Sequence, residues 1–219
     1  MNRFAQLFAT VAGSAMARQL QFADYLGERD WSVDLEAGQV EFGDDLAYPI
    51  QLIGTESYQN DTWLWAWANP SAIPIPLLEA SEQLRQYGVQ HHLPELTERS
   101  CKLEMADGHR LAMVASGLVR KTCYYRGPYD GGALFFLVLG LPVELFARVE
   151  AVRACTVINE LIAQFEVDHR LLAESFLQDQ GFALSAVGDT LHAVRDDGSK
   201  LDLTFDKLSR ITEIEAALG

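Results

Sequence analysis

Basic residues are scarce in this chain: 17 Lys and Arg stand against 31 Asp and Glu, a formal net charge of −14 over 219 residues. Phosphate backbones and anionic membrane surfaces are held by clustered Lys and Arg, so this deficit argues against nucleic acid and membrane as partners. Cysteine is sparse too. Cys101, Cys123 and Cys155 are odd in number, widely spaced and without a CxxC pair; this suits reduced thiols in a cytoplasm better than a disulfide framework, and it is no structural zinc signature. No apolar run reaches the ~20 residues of a membrane-spanning helix. The signatures GxGxxG, GxxxxGK[ST] and HExxH are missing, and Ser14 lacks a GxSxG elbow, so no catalytic residue and no cofactor can be named from motifs.

Apolar residues make up 49% of the chain, enough for a sizeable core and too many for intrinsic disorder. The opening "MNRFAQLFATVAGSAMARQL" imitates a weak secretory signal. However, Phe4, Leu7, Phe8, Val11, Ala15, Phe22 and Leu26 carry a helical spacing beyond the apparent cleavage site, so it reads as an amphipathic helix over about 3–26, closed by Gly27. "WSVDLEAGQVEFG" alternates as a half-buried hairpin, and "YPIQLIGTES" with "TWLWAWA" forms a second one. Helices follow from Pro74 to Gly88 and from the N-cap candidate Asp107 to Leu118. The loop "RGPYDGG" then joins two strands, the second apolar throughout from Ala133 to Leu139. A long helix opens at Pro142. A further helix over about 168–180 and three short strands complete the chain, and "LSRITEIEAALG" fits either a strand or a helix. The expected fold is α+β: an antiparallel meander sheet packed by amphipathic N-terminal and central helices, with a small helix-plus-hairpin appendage. The expected division is a main domain over 1–165 and a smaller subdomain over 166–219.

Three features could carry function. His91, His92, Glu95, Glu98, Cys101 and His109 are the only local collection of metal-ligand types. Adjacent side chains in an extended segment point to opposite faces and the spacing matches no standard site, so no metal is expected. Arg120, Lys121 and Arg126 interleave with Tyr124, Tyr125 and Tyr129 beside the glycine-rich loop. They read either as a small anion or peptide site, with glycines permitting close backbone approach, or as strand-edge protection. The third feature is "DTWLWAWANPS". In a strand Trp63, Trp65 and Trp67 share one face, and bare they would present roughly 450–750 Å². The largest apolar patch of an ordinary monomer is ~300–600 Å². The row must therefore be covered, either by flanking helices of the same chain or by a partner. The expected ligand or partner surface comprises Trp31, Trp63, Trp65, Trp67, Asn69, Arg120, Arg126 and Tyr129.

The stretches "WSVDLEAGQVEFG", "QLIGTES", "DTWLWAWANPS" and "GLVRKTCYYRGPYDGGALFFLVL" resemble an uncharacterised bacterial family of the domain-of-unknown-function kind over about residues 20–140, with the Trp-x-Trp-x-Trp-Ala-Asn-Pro segment the most specific part. The resemblance implies no activity, cofactor or catalytic residue. The element order and low pI also look like acidic bacterial secretion chaperones, a likeness of fold alone. Two functions are carried forward. The first is a non-catalytic, acidic, chaperone-like protein, cytoplasmic and able to form a homodimer, that binds another polypeptide. The second is a small-molecule-binding domain or enzyme with a pocket between sheet and helix.

Overall fold

A computed structural model describes residues 2–217. Within them the chain is α+β, with antiparallel sheets of seven and four strands. Contacts divide it into two compact units, one built from 19–145 and the other from 2–18 with 146–217. The expected appendage over 166–219 lies, for its described part, wholly within the second unit.

The 19–145 unit is organised around one long strand. The helix α1 (Arg3–Leu26) enters the unit at Gln19 and ends at Gly27, whose φ of 57° relieves the turn. β1 (Trp31–Asp34) and β2 (Gln39–Phe42) form the first hairpin. β3 (Leu46–Ser57) pairs with β2 through its first part. Its last part lies between β4 (Thr62–Trp65) and, later in sequence, β7 (Gly132–Val138). The register against β7 slips between Leu52 and Gly54, a bulge that bends the strand. After β4 come α2 (Glu79–His91), the single turn α3 (Pro94–Thr97), the short strand β5 (Ser100–Lys102), α4 (Gly108–Leu118) and β6 (Cys123–Tyr129). β5 closes one edge by pairing β4, and β6 closes another by pairing β7.

Because side chains alternate along a strand, this sheet has two distinct apolar faces. On one, α4 lies against β3, β6 and β7, over Trp63, Phe135 and Tyr124. The other face carries Phe42, Tyr125 and Phe136 in ring contact, with Phe22 from the end of α1 at 5.8 Å from Phe42. The uninterrupted apolar run in β7 follows directly, since Phe135 faces one layer and Phe136 the other and both are fully buried.

In the second unit the first turns of α1 pack with α5 (Ala151–Gln164) and α6 (His169–Asp179). Phe8 meets Phe165 at 5.3 Å, and Ser14 donates to the Asp179 carboxylate at 2.8 Å. Gly13 is tight for a physical reason: a Cβ there would sit 2.4 Å from Cβ of Phe176. The sheet of this unit is a meander of β8 (Ala183–Val187), β9 (Thr190–Val194), β10 (Lys200–Phe205) and β11 (Ile211–Ala217). Within the ambiguous C-terminal stretch Ile211–Ala217 is thus a fourth strand, and 218–219 lie outside the described residues. The helix expected from Pro142 begins at Ala151, because Val143–Phe146 forms a separate 3-10 turn.

Candidate functional site

The tryptophan segment is core rather than platform. β4 stops at Trp65, and Ala66–Ala68 turns into a 3-10 helix, so strand alternation ends before Trp67. Trp63 and Trp65 are fully buried and touch edge to face at 5.4 Å. The Trp65 indole N–H donates to the Glu95 carbonyl at 3.1 Å, which ties β4 to α3. Trp63 lies over Gly54, where a Cβ would meet its Cζ2 at 2.4 Å and the Leu64 carbonyl at 2.5 Å. Trp67 is half-buried with the Arg85 guanidinium 5.2 Å from its ring. Asn69 caps its own turn, its side-chain oxygen accepting from the Ser71 amide at 2.9 Å.

Trp31 belongs to the opposite face of the sheet. Its ring lies 5.5 Å from Tyr125 and covers Gly127, where a Cβ would strike Cη2 at 2.5 Å. The glycine in "RGPYDGG" thus permits close approach, as expected, and what approaches is the protein's own indole. The loop's tip is held as well, since the Tyr58 amide donates to the Gly131 carbonyl at 3.0 Å.

A polar cluster gathers on the α4 side of the sheet. Glu56 is a lone acid in an apolar stretch of β3, and strand alternation puts it on the face shared by its neighbours Trp63 and Ala133. It is 7% exposed, and its carboxylate accepts the Gly108 amide at 2.7 Å, at the N-terminus of α4. Asp107 is the N-cap, accepting from the Arg110 amide at 2.9 Å. Two carboxylates therefore serve one helix start, where unpaired amides and the helix dipole favour negative charge.

His109, in the first turn of α4, is exposed at the surface, with Phe135 and Tyr124 against its ring. Its Nδ1 is 3.0 Å from the Tyr124 hydroxyl. Burial holds the imidazole below the ordinary histidine range and Arg126 acts in the same direction, while Asp107 and Glu56 oppose them. Burial pushes the Tyr124 phenol far above its usual range. Both groups are neutral near pH 7, so the pair holds one proton on the ring and one on the phenol. The sense of their hydrogen bond follows the tautomer.

Arg126 lies on the same strand face as Tyr124, half-buried, and donates to the Tyr58 hydroxyl. Its guanidinium is 5.9 Å from the Tyr58 ring. Among the described residues Arg126 has no carboxylate partner, whereas Arg29, Arg85, Arg110, Arg170, Arg195 and Arg210 each pair with one. Arg126, Tyr58, His109 and Tyr124 together offer a cation and hydrogen-bond donors suited to an oxyanion.

The expected surface is therefore split. Arg126 sits in the cluster, whereas Tyr129, half exposed, lies on the other face of the sheet over Gly132, where a Cβ would meet its hydroxyl at 2.7 Å. Arg120 lies in the exposed connection between α4 and β6, outside the cluster's hydrogen bonds. Trp63 and Trp65 are beneath the surface, and Trp31 is across the sheet. Glu56, Tyr58 and the pairing of His109 with Tyr124 lie outside the surface expected from the sequence. The available signal was Glu56 itself, a charge at an inward position of a strand. Of the thiols, Cys101 is buried in β5 and pushed up to about 11 by burial, with Glu95 adding to the effect, so it is not a poised nucleophile. Among the described residues no group of three or more His, Cys, Asp or Glu is placed to hold a metal ion, and no helix is long and apolar enough to cross a membrane.

No curated protein and no solved structure matches the chain. A family model matches residues 5–141, a span that takes in most of α1, all of β1 to β7 and every member of the polar cluster. On that match the chain belongs to DUF6882, a family of unknown function.

Proposed function

We propose that the 19–145 unit is a non-catalytic binding domain for a small ligand carrying a carboxylate or phosphate, received at Arg126 beside Tyr58 and His109. The observation that carries this reading is the unpaired guanidinium of Arg126 in a chain of net charge −14. A half-buried arginine surrounded by acidic protein and held by a phenol instead of a carboxylate keeps most of its bidentate donor set for a ligand. The neutral His109 and Tyr124 pair adds hydrogen-bonding groups, while the Glu56 and Asp107 carboxylates are engaged by the α4 amides. This is the small-molecule alternative, placed on the α4 side of the sheet. The polypeptide-binding reading called for an accessible tryptophan face, and Trp63 and Trp65 are 0% exposed. The buried Cys101 and Cys123 agree with a reducing, cytoplasmic setting.

Thermal shift against phosphate and short mono-, di- and tricarboxylates, at matched ionic strength, tests the proposal. A ligand present at 100 times its Kd adds about 2.7 kcal/mol to folded-state stability, which is a readily measured rise in Tm. Arg126→Met removes the response and His109→Gln reduces it. A flat screen, or an unchanged response in Arg126→Met, overturns the assignment.

A further inference from the structure

Among the described residues no strand pairs the outer edge of β8 or of β11 in the four-stranded sheet of the second unit, and the two edges differ in chemistry. β11 carries Glu213 and Glu215, the kind of charge that keeps an edge from pairing. β8, Ala-Leu-Ser-Ala-Val, has no charge and no proline, and four of its five residues are exposed. Val187 is 68% exposed and Val194, on the neighbouring strand, 44%. An uncharged, apolar edge is anomalous in so acidic a protein, and it has the form of a pairing edge.

Backbone direction follows from the turn. β8 and β9 are joined by Gly188-Asp189, and of these two Gly188 alone has positive φ, at 60°, which is the II′ hairpin pattern. The closing pair Val187 and Thr190 is then hydrogen-bonded, as are Ser185 with His192 and Ala183 with Val194 in the same register. That leaves the amides and carbonyls of Leu184 and Ala186 aimed at the open edge.

The geometry points to β8 as a self-association edge: two copies of this chain pair β8 to β8 antiparallel about a two-fold axis at Ser185, joining their four-stranded sheets into one. In this register Leu184 of each copy faces Ala186 of the other, so each outward amide and carbonyl meets a partner. On the outer face Val187 of one copy falls beside Ala183 of the other. Ala183 already has Val194 on its far side, so the two exposed valines flank one small residue in a single row. On the inner face Leu184 and Ala186 continue the buried layer of Leu191 and Ala193 from one copy into the next. The same operation at β11 would set Glu213 and Glu215 of two copies into one ladder, which like charges oppose. A second copy therefore fits β8 and not β11.

Pairing of two five-residue edges is smaller than a standard ~1,600 Å² interface, so the association is concentration-dependent. Sedimentation equilibrium of the full chain from ~5 to ~500 µM tests it, with weak strand pairing placing the transition on the order of 100 µM. The expected weight-average mass climbs from 24.4 kDa toward twice that value. Ala186→Pro removes an amide that the monomer's own ladder does not use, and Ser185→Lys sets two ammonium groups against each other at the axis. Both variants stay at the monomer mass while their circular dichroism and Tm match the parent. A monomer at every concentration, or a dimer that persists in Ser185→Lys, overturns the proposal.

Discussion

Removal of the Glu56 side chain is the most direct test of how sheet and helix are joined. The Glu56 carboxylate, 7% exposed, accepts the Gly108 amide at 2.7 Å. Glu56→Ala leaves that amide buried without a partner. An unmet buried donor costs about 1–3 kcal/mol, and loss of negative charge at the helix start costs about 0.3–1 kcal/mol more. The expected loss is thus ~1.3–4 kcal/mol. Glu56→Gln keeps an acceptor oxygen and gives up the charge alone, so its loss is no more than about 1 kcal/mol, reduced further because a buried ion no longer has to be desolvated. All four tryptophans, Trp31, Trp63, Trp65 and Trp67, belong to the 19–145 unit, so indole fluorescence during urea unfolding reports on this unit. With a slope of about 1–3 kcal/mol/M, Glu56→Ala lowers the midpoint by roughly 1 M and Glu56→Gln by a small fraction of that. Equal midpoints for the two variants, or an alanine variant within 0.5 kcal/mol of the parent as a rough threshold, would refute the helix-start role.

Two further outcomes follow from packing and from proton balance. Gly54→Ala forces a Cβ to 2.5 Å from the Leu64 carbonyl and 2.4 Å from Trp63. Because one of those atoms is backbone, the change destabilises the unit by about 1–3 kcal/mol or more, read as a lower urea midpoint with indole emission shifted to the red. His109 is held below its ordinary pKa in the folded state, so between the folded value and the unfolded ~6.5 the unfolded chain binds more protons. Stability therefore falls as pH drops through ~6.5 and levels off below the folded value. His109→Gln flattens this step in Tm-against-pH profiles, and an unchanged step in that variant would count against the assignment.

Much of the fold was legible because local patterns and tertiary packing agree. The spacing of Phe4, Phe8 and Phe22 predicts α1, Asp107 predicts the start of α4, and the apolar run from Ala133 to Leu139 predicts a strand covered on both faces. The area that bare tryptophans would expose requires cover, and Trp63 and Trp65 are covered. The C-terminal stretch was less legible, since Ile211 and Ile214 fit either period and pairing with β10 decided for a strand. The tryptophan row is also shorter than the sequence pattern suggests. Alternation through Trp67 looks the same whether the chain stays extended or tightens at Ala66, and β5 pairs β4 only from Thr62 to Leu64.

By itself the sequence determined the class of the protein: an acidic α+β chain, rich enough in apolar residues to bury its aromatics and without motifs for nucleotides, zinc or a serine nucleophile. These are properties of composition and short-range periodicity. Tertiary structure alone decided the site. Glu56, Tyr58, His109, Tyr124 and Arg126 come from one helix, two strands and the turn after β3, and they meet because β7 pairs both β3 and β6 while α4 lies across all three. The same pairing sends Trp31 to the opposite face, against Gly127. Which strand lies beside which is set by the long-range burial of Phe135 and Phe136, and that choice leaves Arg126 facing Tyr58 instead of a carboxylate.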